Sequence, residues 1–224
     1  MRTLIAEDLL LLLLDDERGT TPGLWVDVRV PLGAAVLAEL ALLGAVGLEQ
    51  PASRWRTAKV SASVGAPPDD DVLAAAQGIV AQQPRTAVDL AGRIGDGLKD
   101  RLAERLERQG LLQRHDDRVL GLFPRTRWPA GATAHEAQVR DRLQVVVLGG
   151  AQPDERTVAL AGILQAVGRL RAVLDVSGGT ARDAERTVKA LTTGDLGAEA
   201  VRAAVAAAVA AIVTTSTAVT AAAT

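Results

Sequence analysis

Arg118, Arg125 and Arg127 bracket a short apolar run, Val119-Leu120-Gly121-Leu122-Phe123, and Trp128 follows the last of them. Cations around an apolar tip suit an anionic surface, because the guanidiniums meet phosphate oxygens while the apolar residues insert. Lipid phosphate and DNA phosphate are both served by such a tip. A basic loop that is merely solvated has the same composition. Trp25, Trp55 and Trp128 are three of the four aromatics, and each lies in an Arg-containing stretch outside the expected helices. Indole suits a membrane interface, having an apolar body and one polar N–H. Packing of loops onto a core uses it as well.

Other chemistry finds little material. Cysteine is absent, so no disulfide or thiolate metal site can form. The two histidines, His115 and His135, have no metal-ligand spacing. His115 falls in an expected turn and His135 near an expected helix start, and both read as surface residues. There is no G-x-S-x-G, no H-E-x-x-H and no Gly-rich loop ending in Lys-Ser/Thr. Gly92, Gly95 and Gly97 follow no clear strand, which leaves them a poor phosphate cradle. Asp15, Asp16 and Glu17 read as an exposed acidic helix end, and Asp69, Asp70 and Asp71 as N-terminal capping residues rather than metal ligands. No nucleophile–base set is visible, so an enzyme is not expected and neither is a cofactor.

Composition narrows the fold. Hydrophobic residues make up 48% of the 224 and aromatics only 2%, which favours helices packed through Leu, Val and Ala. The net charge of −2 gives no global field for nucleic acid, so anion binding must be local. The run Leu9 to Leu14 ends in acids and is too short to span a bilayer. Without a signal-like start the expectation is a cytoplasmic protein.

The elements expected to carry these residues are mostly helices. A buried helix is expected over 3–15, and a loop or short strand over 18–31. Leu32 to Leu43 is apolar on nearly every side, with Glu39 its lone charge, and reads as a central helix capped by Gly44. A short strand follows from Ala45 to Leu48, then the basic stretch 51–60 and a loop to Asp71. A helix spans 71–82, and one or two helices cover 86–109. In 98–109, Leu98, Leu102 and Leu106 form an apolar stripe, and Arg101, Arg105 and Arg108 a basic one. Leu111–Arg114 and Arg118–Phe123 are expected as strands joined through His115-Asp116-Asp117, with Pro124–Pro129 a basic loop. Helices at 133–148, 154–176, 180–192 and 197–213 complete the chain, with a Thr/Ala tail from 214.

The ordered set of motifs carries a resemblance. It runs Ile5-Ala-Glu-Asp-Leu-Leu-Leu-Leu-Leu-Leu, Ala35-Val-Leu-Ala-Glu-Leu-Ala-Leu-Leu-Gly44, Ala66-Pro-Pro-Asp-Asp-Asp-Val-Leu73, Arg101-Leu-Ala-Glu-Arg-Leu-Glu-Arg-Gln-Gly-Leu-Leu112 and Leu120-Gly-Leu-Phe123. Together these resemble the Golgi phosphoprotein 3 family in its bacterial branch, over nearly the whole chain. The resemblance implies one mostly helical (all-α) domain over 1–224, with a central buried helix bundle ringed by amphipathic helices and a small protruding β-hairpin. It implies a peripheral membrane protein on the cytoplasmic face. Eukaryotic members bind phosphatidylinositol 4-phosphate and grip the cytosolic tails of membrane proteins.

By the same resemblance, the headgroup site falls on Trp25, Arg29 and Lys99. Gly33 stands where the family has an arginine, with Arg29 able to reach the same space, and Asp96 stands at a second basic position. The membrane-facing hairpin falls on Arg118, Val119, Leu120, Leu122, Phe123, Arg125, Arg127 and Trp128. The partners implied are an anionic phospholipid (phosphoinositide) surface, a possible homo-oligomer through the hairpin, and possible membrane-protein tails. The alternative is a winged-helix-like DNA-binding protein using helix 98–109 and the 111–128 hairpin. Asp100, Glu104 and Glu107 on that helix oppose it, and no nucleic acid is expected.

Overall fold

The computed structural model describes residues 3–14, 28–49, 58–113, 115–119, 123–127 and 134–193. The expected helix 197–213, the tail from 214 and the acidic end at 15–17 lie outside them. The order of elements is α1 (Ile5–Leu13), α2 (Arg29–Leu42), β1 (Val46–Glu49), β2 (Lys59–Ala62), α3 (Asp71–Gln82), α4 (Ala87–Ile94) and α5 (Leu98–Arg108). Then come β3 (His115–Val119), β4 (Phe123–Arg127), α6 (Ala134–Val147), α7 (Glu155–Ala166), α8 (Leu170–Leu174) and α9 (Gly178–Thr193). The described chain is all-α with small β-ribbons, as composition and resemblance led one to expect.

The leucine run is α1, and every residue of it is buried, Glu7 and Asp8 included. α2 is buried without interruption from Val30 to Ala41 and packs against α1, α3, α4, α5 and α7. A helix apolar all round has to be surrounded. It starts at Arg29, earlier than expected, because Pro31 sits in its first turn, where a missing N–H leaves no bond unmade. It stops at Gly44, whose φ of +68° is the left-handed geometry that ends helices. α3 has the expected bounds, and its cap is Asp70, which accepts from Val72 N (2.9 Å) and Leu73 N (3.1 Å).

Four expectations need correction. The 154–176 helix is two, α7 and α8, because Gly168 at φ +69° interrupts it. α9 begins at Gly178 rather than after the glycine pair. β2 lies where a basic stretch ran into a loop. Four residues are too few for a period-two signal, and β2 is held by antiparallel pairing with β1 and a bridge from Val60 to Arg85. The second ribbon is shifted along the chain. His115-Asp116-Asp117 lie inside β3, not in a turn, and Phe123–Arg127 is β4, not a loop. The register pairs Val119 with Phe123, Asp117 with Arg125 and His115 with Arg127, so residues 120–122 make the connection. Pro124 fits this strand because a two-stranded ribbon has only edges.

The closest helix crossing is between α2 and α4. A Cβ built on Gly33 would lie 1.9 Å from the Ala91 carbonyl oxygen, and one on Gly95 would lie 1.9 Å from the Arg29 carbonyl oxygen. Positions 29 and 33 are one turn apart on α2. Positions 91 and 95 match them at the other helix, so small residues let the two backbones touch. Gly33→Ala should lower stability by about 1–3 kcal/mol in urea unfolding, since the backbone carbonyl cannot step aside. Gly78→Ala, on an exposed position of α3 with nothing within 4 Å, should raise it by about 0.5–1 kcal/mol.

Candidate functional site

Two of the basic residues expected at a headgroup site meet at one end of the bundle. Arg29 opens α2 and is exposed, and its carbonyl rests against Gly95 at the end of α4. The chain turns at once through Asp96 and Gly97 (φ +66°) into α5, whose second residue is the half-buried Lys99. Residues seventy apart in sequence thus share one helix junction. Gly97 caps α5 without a side-chain bond. The nearby Arg93 is occupied at 3.0 Å by Asp89, which Arg85 also holds at 2.9 Å. Asp96 is exposed beside the pair and lowers the local positive charge. Gly33 is accounted for by packing, since the Ala91 carbonyl leaves no room there for a side chain. Trp25 lies outside the described residues.

The β3–β4 ribbon carries Arg118 and Val119 on one strand and Phe123, Arg125 and Arg127 on the other. Its register sets Val119 and Phe123 at the end next to the connection and Arg127 at the far end. The apolar residues are therefore gathered at the tip and two of the arginines along the return strand. Leu120, Leu122 and Trp128 lie outside the described residues. Among the described residues, β3 and β4 pair only with each other, and no helix is long and apolar enough to cross a membrane.

The basic stripe of α5 does not stay at the surface. Arg105 is 6% exposed. Its Nε lies 3.0 Å from Glu7 Oε1, its Nη2 2.6 Å from Asp70 and its Nη1 3.3 Å from Asp71. Arg101 bonds Asp71 at 2.8 Å. Leu98, Leu102 and Leu106 are buried as the apolar stripe requires.

A second polar group went unseen in the sequence. It lies around the N-terminus of α1. Leu4 N donates to Glu7 Oε2 (2.7 Å) and Ile5 N to Glu39 Oε2 (2.8 Å), so buried carboxylates take two of the free N–H groups of the helix start. Arg156 of α7 pairs with Glu39 and donates to the Thr3 carbonyl (2.6 Å). His135 Nε2 sits 2.7 Å from Asp8 Oδ1, and Thr3 Oγ1 donates to that same oxygen at 2.8 Å. His135 is thus no lone surface histidine. A nucleophile relay would need the two ring nitrogens at opposite ends, one on a hydroxyl and one on a carboxylate. Here Nε2 faces both, so the trio does not have that geometry. The sequence signal was present in Glu39, since a lone charge in an all-apolar helix demands a buried partner. The partner's identity, far along the chain, was not.

Burial pushes the Glu7 carboxyl above its ordinary range, and Asp70 and Asp8 push the same way against the Leu4 N–H and Arg105. A raised carboxyl contributes stability that is full at low pH and is lost as pH rises through its folded pKa. Asp71 has the opposite sign. The hydrogen bond from Arg101 holds it below its ordinary range, and its contribution fades as pH falls. Arg105→Met should cost about 3–5 kcal/mol at neutral pH by leaving Glu7 buried without its cation. Urea unfolding should find a larger deficit near pH 8 than near pH 5, where Glu7 can take a proton instead. A deficit that grows toward acid would contradict this account.

Among protein-family models, that of Golgi phosphoprotein 3 (GPP34) matches residues 5–208. No curated protein matches the chain.

Proposed function

The chain belongs to the Golgi phosphoprotein 3 family, and on that footing we propose that it is a peripheral membrane adaptor whose ligand is an anionic phospholipid headgroup. The observation that carries the reading is the meeting of Arg29 and Lys99 at the α2–α4–α5 junction. Phosphate recognition needs cations that converge from a rigid frame, and this frame is fixed by backbone contact. The ribbon supplies a second point of attachment, with Val119 and Phe123 toward its tip and Arg118, Arg125 and Arg127 for headgroups. Each such cation near an anionic leaflet contributes about 1 kcal/mol.

Selectivity for the 4-phosphate of phosphatidylinositol is not part of the proposal. Gly33 and Asp96 leave the junction with fewer cations than the family site the chain resembles. The expected behaviour is charge-driven binding to any anionic bilayer, weakened by salt. The partners proposed are the membrane surface first, with membrane-protein tails and a second copy of the chain as further candidates. The DNA-binding alternative loses support from Arg105, which faces inward from the helix that would have to read a groove.

The test is co-sedimentation of the full chain with phosphatidylcholine vesicles, plain or doped with phosphatidylglycerol, phosphatidylinositol or its 4-phosphate, at low and high salt. Salt-sensitive binding to all three anionic mixtures is expected. Replacing Lys99, Arg125 and Arg127 together by Glu should weaken it by about a hundredfold, from roughly 1 kcal/mol per lost cation. Preference for the 4-phosphate would assign the junction a true headgroup pocket. Failure to bind at either salt would overturn the proposal.

A further inference from the structure

His135 is the second residue of α6, and residues 128–133 join that helix to β4. Its ring therefore stands at the seat of the ribbon. Across from it Asp8 is buried in α1, and the ring itself is 23% exposed. Asp8 Oδ1 receives the Thr3 hydroxyl at 2.8 Å and faces Nε2 at 2.7 Å. A carboxylate only accepts, so Nε2 carries hydrogen and Nδ1 is the nitrogen left to take up a proton. The other charges around the ring are already engaged. Glu7 of α1 faces Arg105, and Arg156 of α7 is held by Glu39 of α2 and by the Thr3 carbonyl. Asp154 at the start of α7 accepts from Thr157. On α6 itself Glu136 is paired with Arg140, and Arg142 lines the small cavity that Asp8 and Arg156 also line.

We propose that His135 and Asp8 form a proton-operated latch that fastens the first turn of α6, and with it the base of the β3–β4 ribbon, to α1. Imidazole is the side chain that ordinarily changes charge between about pH 5 and 8. A proton arriving at Nδ1 turns a neutral hydrogen bond into a charge-assisted ion pair in a largely buried place. Acidification then tightens the seat of the ribbon.

The test is a double-mutant cycle of Asp8→Asn and His135→Gln in the full chain, read by thermal unfolding at about pH 5.5 and about pH 8.5. It is run in a His115→Gln background, because His115 is the one other imidazole. The non-additive Tm shift is expected to be larger at the acid pH by about 2 °C or more. Amide exchange across 115–127, corrected for its intrinsic pH dependence, should be slower with His135 than with Gln at the acid pH and equal at the alkaline one. A coupling that is the same at both pH values, or ribbon exchange indifferent to His135, overturns the latch. Asn and Gln keep the shapes of the two groups, so the folded state is retained for both readings.

Discussion

Three carboxylates are buried around the N-terminus of one apolar helix, and they must all be answered. Glu7 and Asp8 lie in α1 and Glu39 in α2, each under a tenth exposed. Leaving any of them unpaired in that interior would cost several kcal/mol. The answering groups come from every side: Arg105 from α5, His135 from α6, Arg156 from α7, and the free N–H groups of α1 itself. Leucine packing alone is indifferent to register, because one leucine face slides on another at little cost. The charges remove that freedom. α1 can be seated in the bundle only where its acids meet those cations.

The same constraint reaches the surface. Arg105 is drawn inward by Glu7 and Asp70, which fixes the rotation of α5. Lys99, six residues earlier on that helix, is thereby set at the end facing Arg29 rather than buried with the leucines. Glu39 and Arg156 hold α2 against α7 in like manner, and the Gly33–Ala91 and Gly95–Arg29 contacts hold it against α4. A membrane-facing surface of few cations depends on this kind of frame, since dispersed charges recruit lipid far less selectively than fixed ones.

Much of the helical frame was legible in the sequence. α3 was bounded by an acidic cap and Pro84, and both are local signals. The central place of α2 followed from its lack of a polar face. The family pattern placed Arg29 and Lys99 together although no periodicity links them. What was not legible was either non-local or too short. The pairing of Asp8 with His135 joins residues far apart in the chain, and nothing near either one announces it. The β3–β4 register moved because the apolar residues Val119 and Phe123 read as strand interior when they flank the connection. The acidic His115-Asp116-Asp117 read as a turn but pairs with Arg127, Thr126 and Arg125. Opposite charge across strands supplied what local propensity did not.

The α2–α4 crossing also bears on how this surface can change over time. With two backbones in contact at position 33, an arginine there is incompatible with the neighbour at 91 holding its place. A single substitution restoring the family's cation would first push two core helices apart. The viable order runs the other way, with α4 yielding before the charge arrives. Position 33 is thus epistatically locked: its residue is dictated by a helix it does not belong to, and any gain in headgroup recognition must be sought at neighbouring positions or through a change in helix spacing.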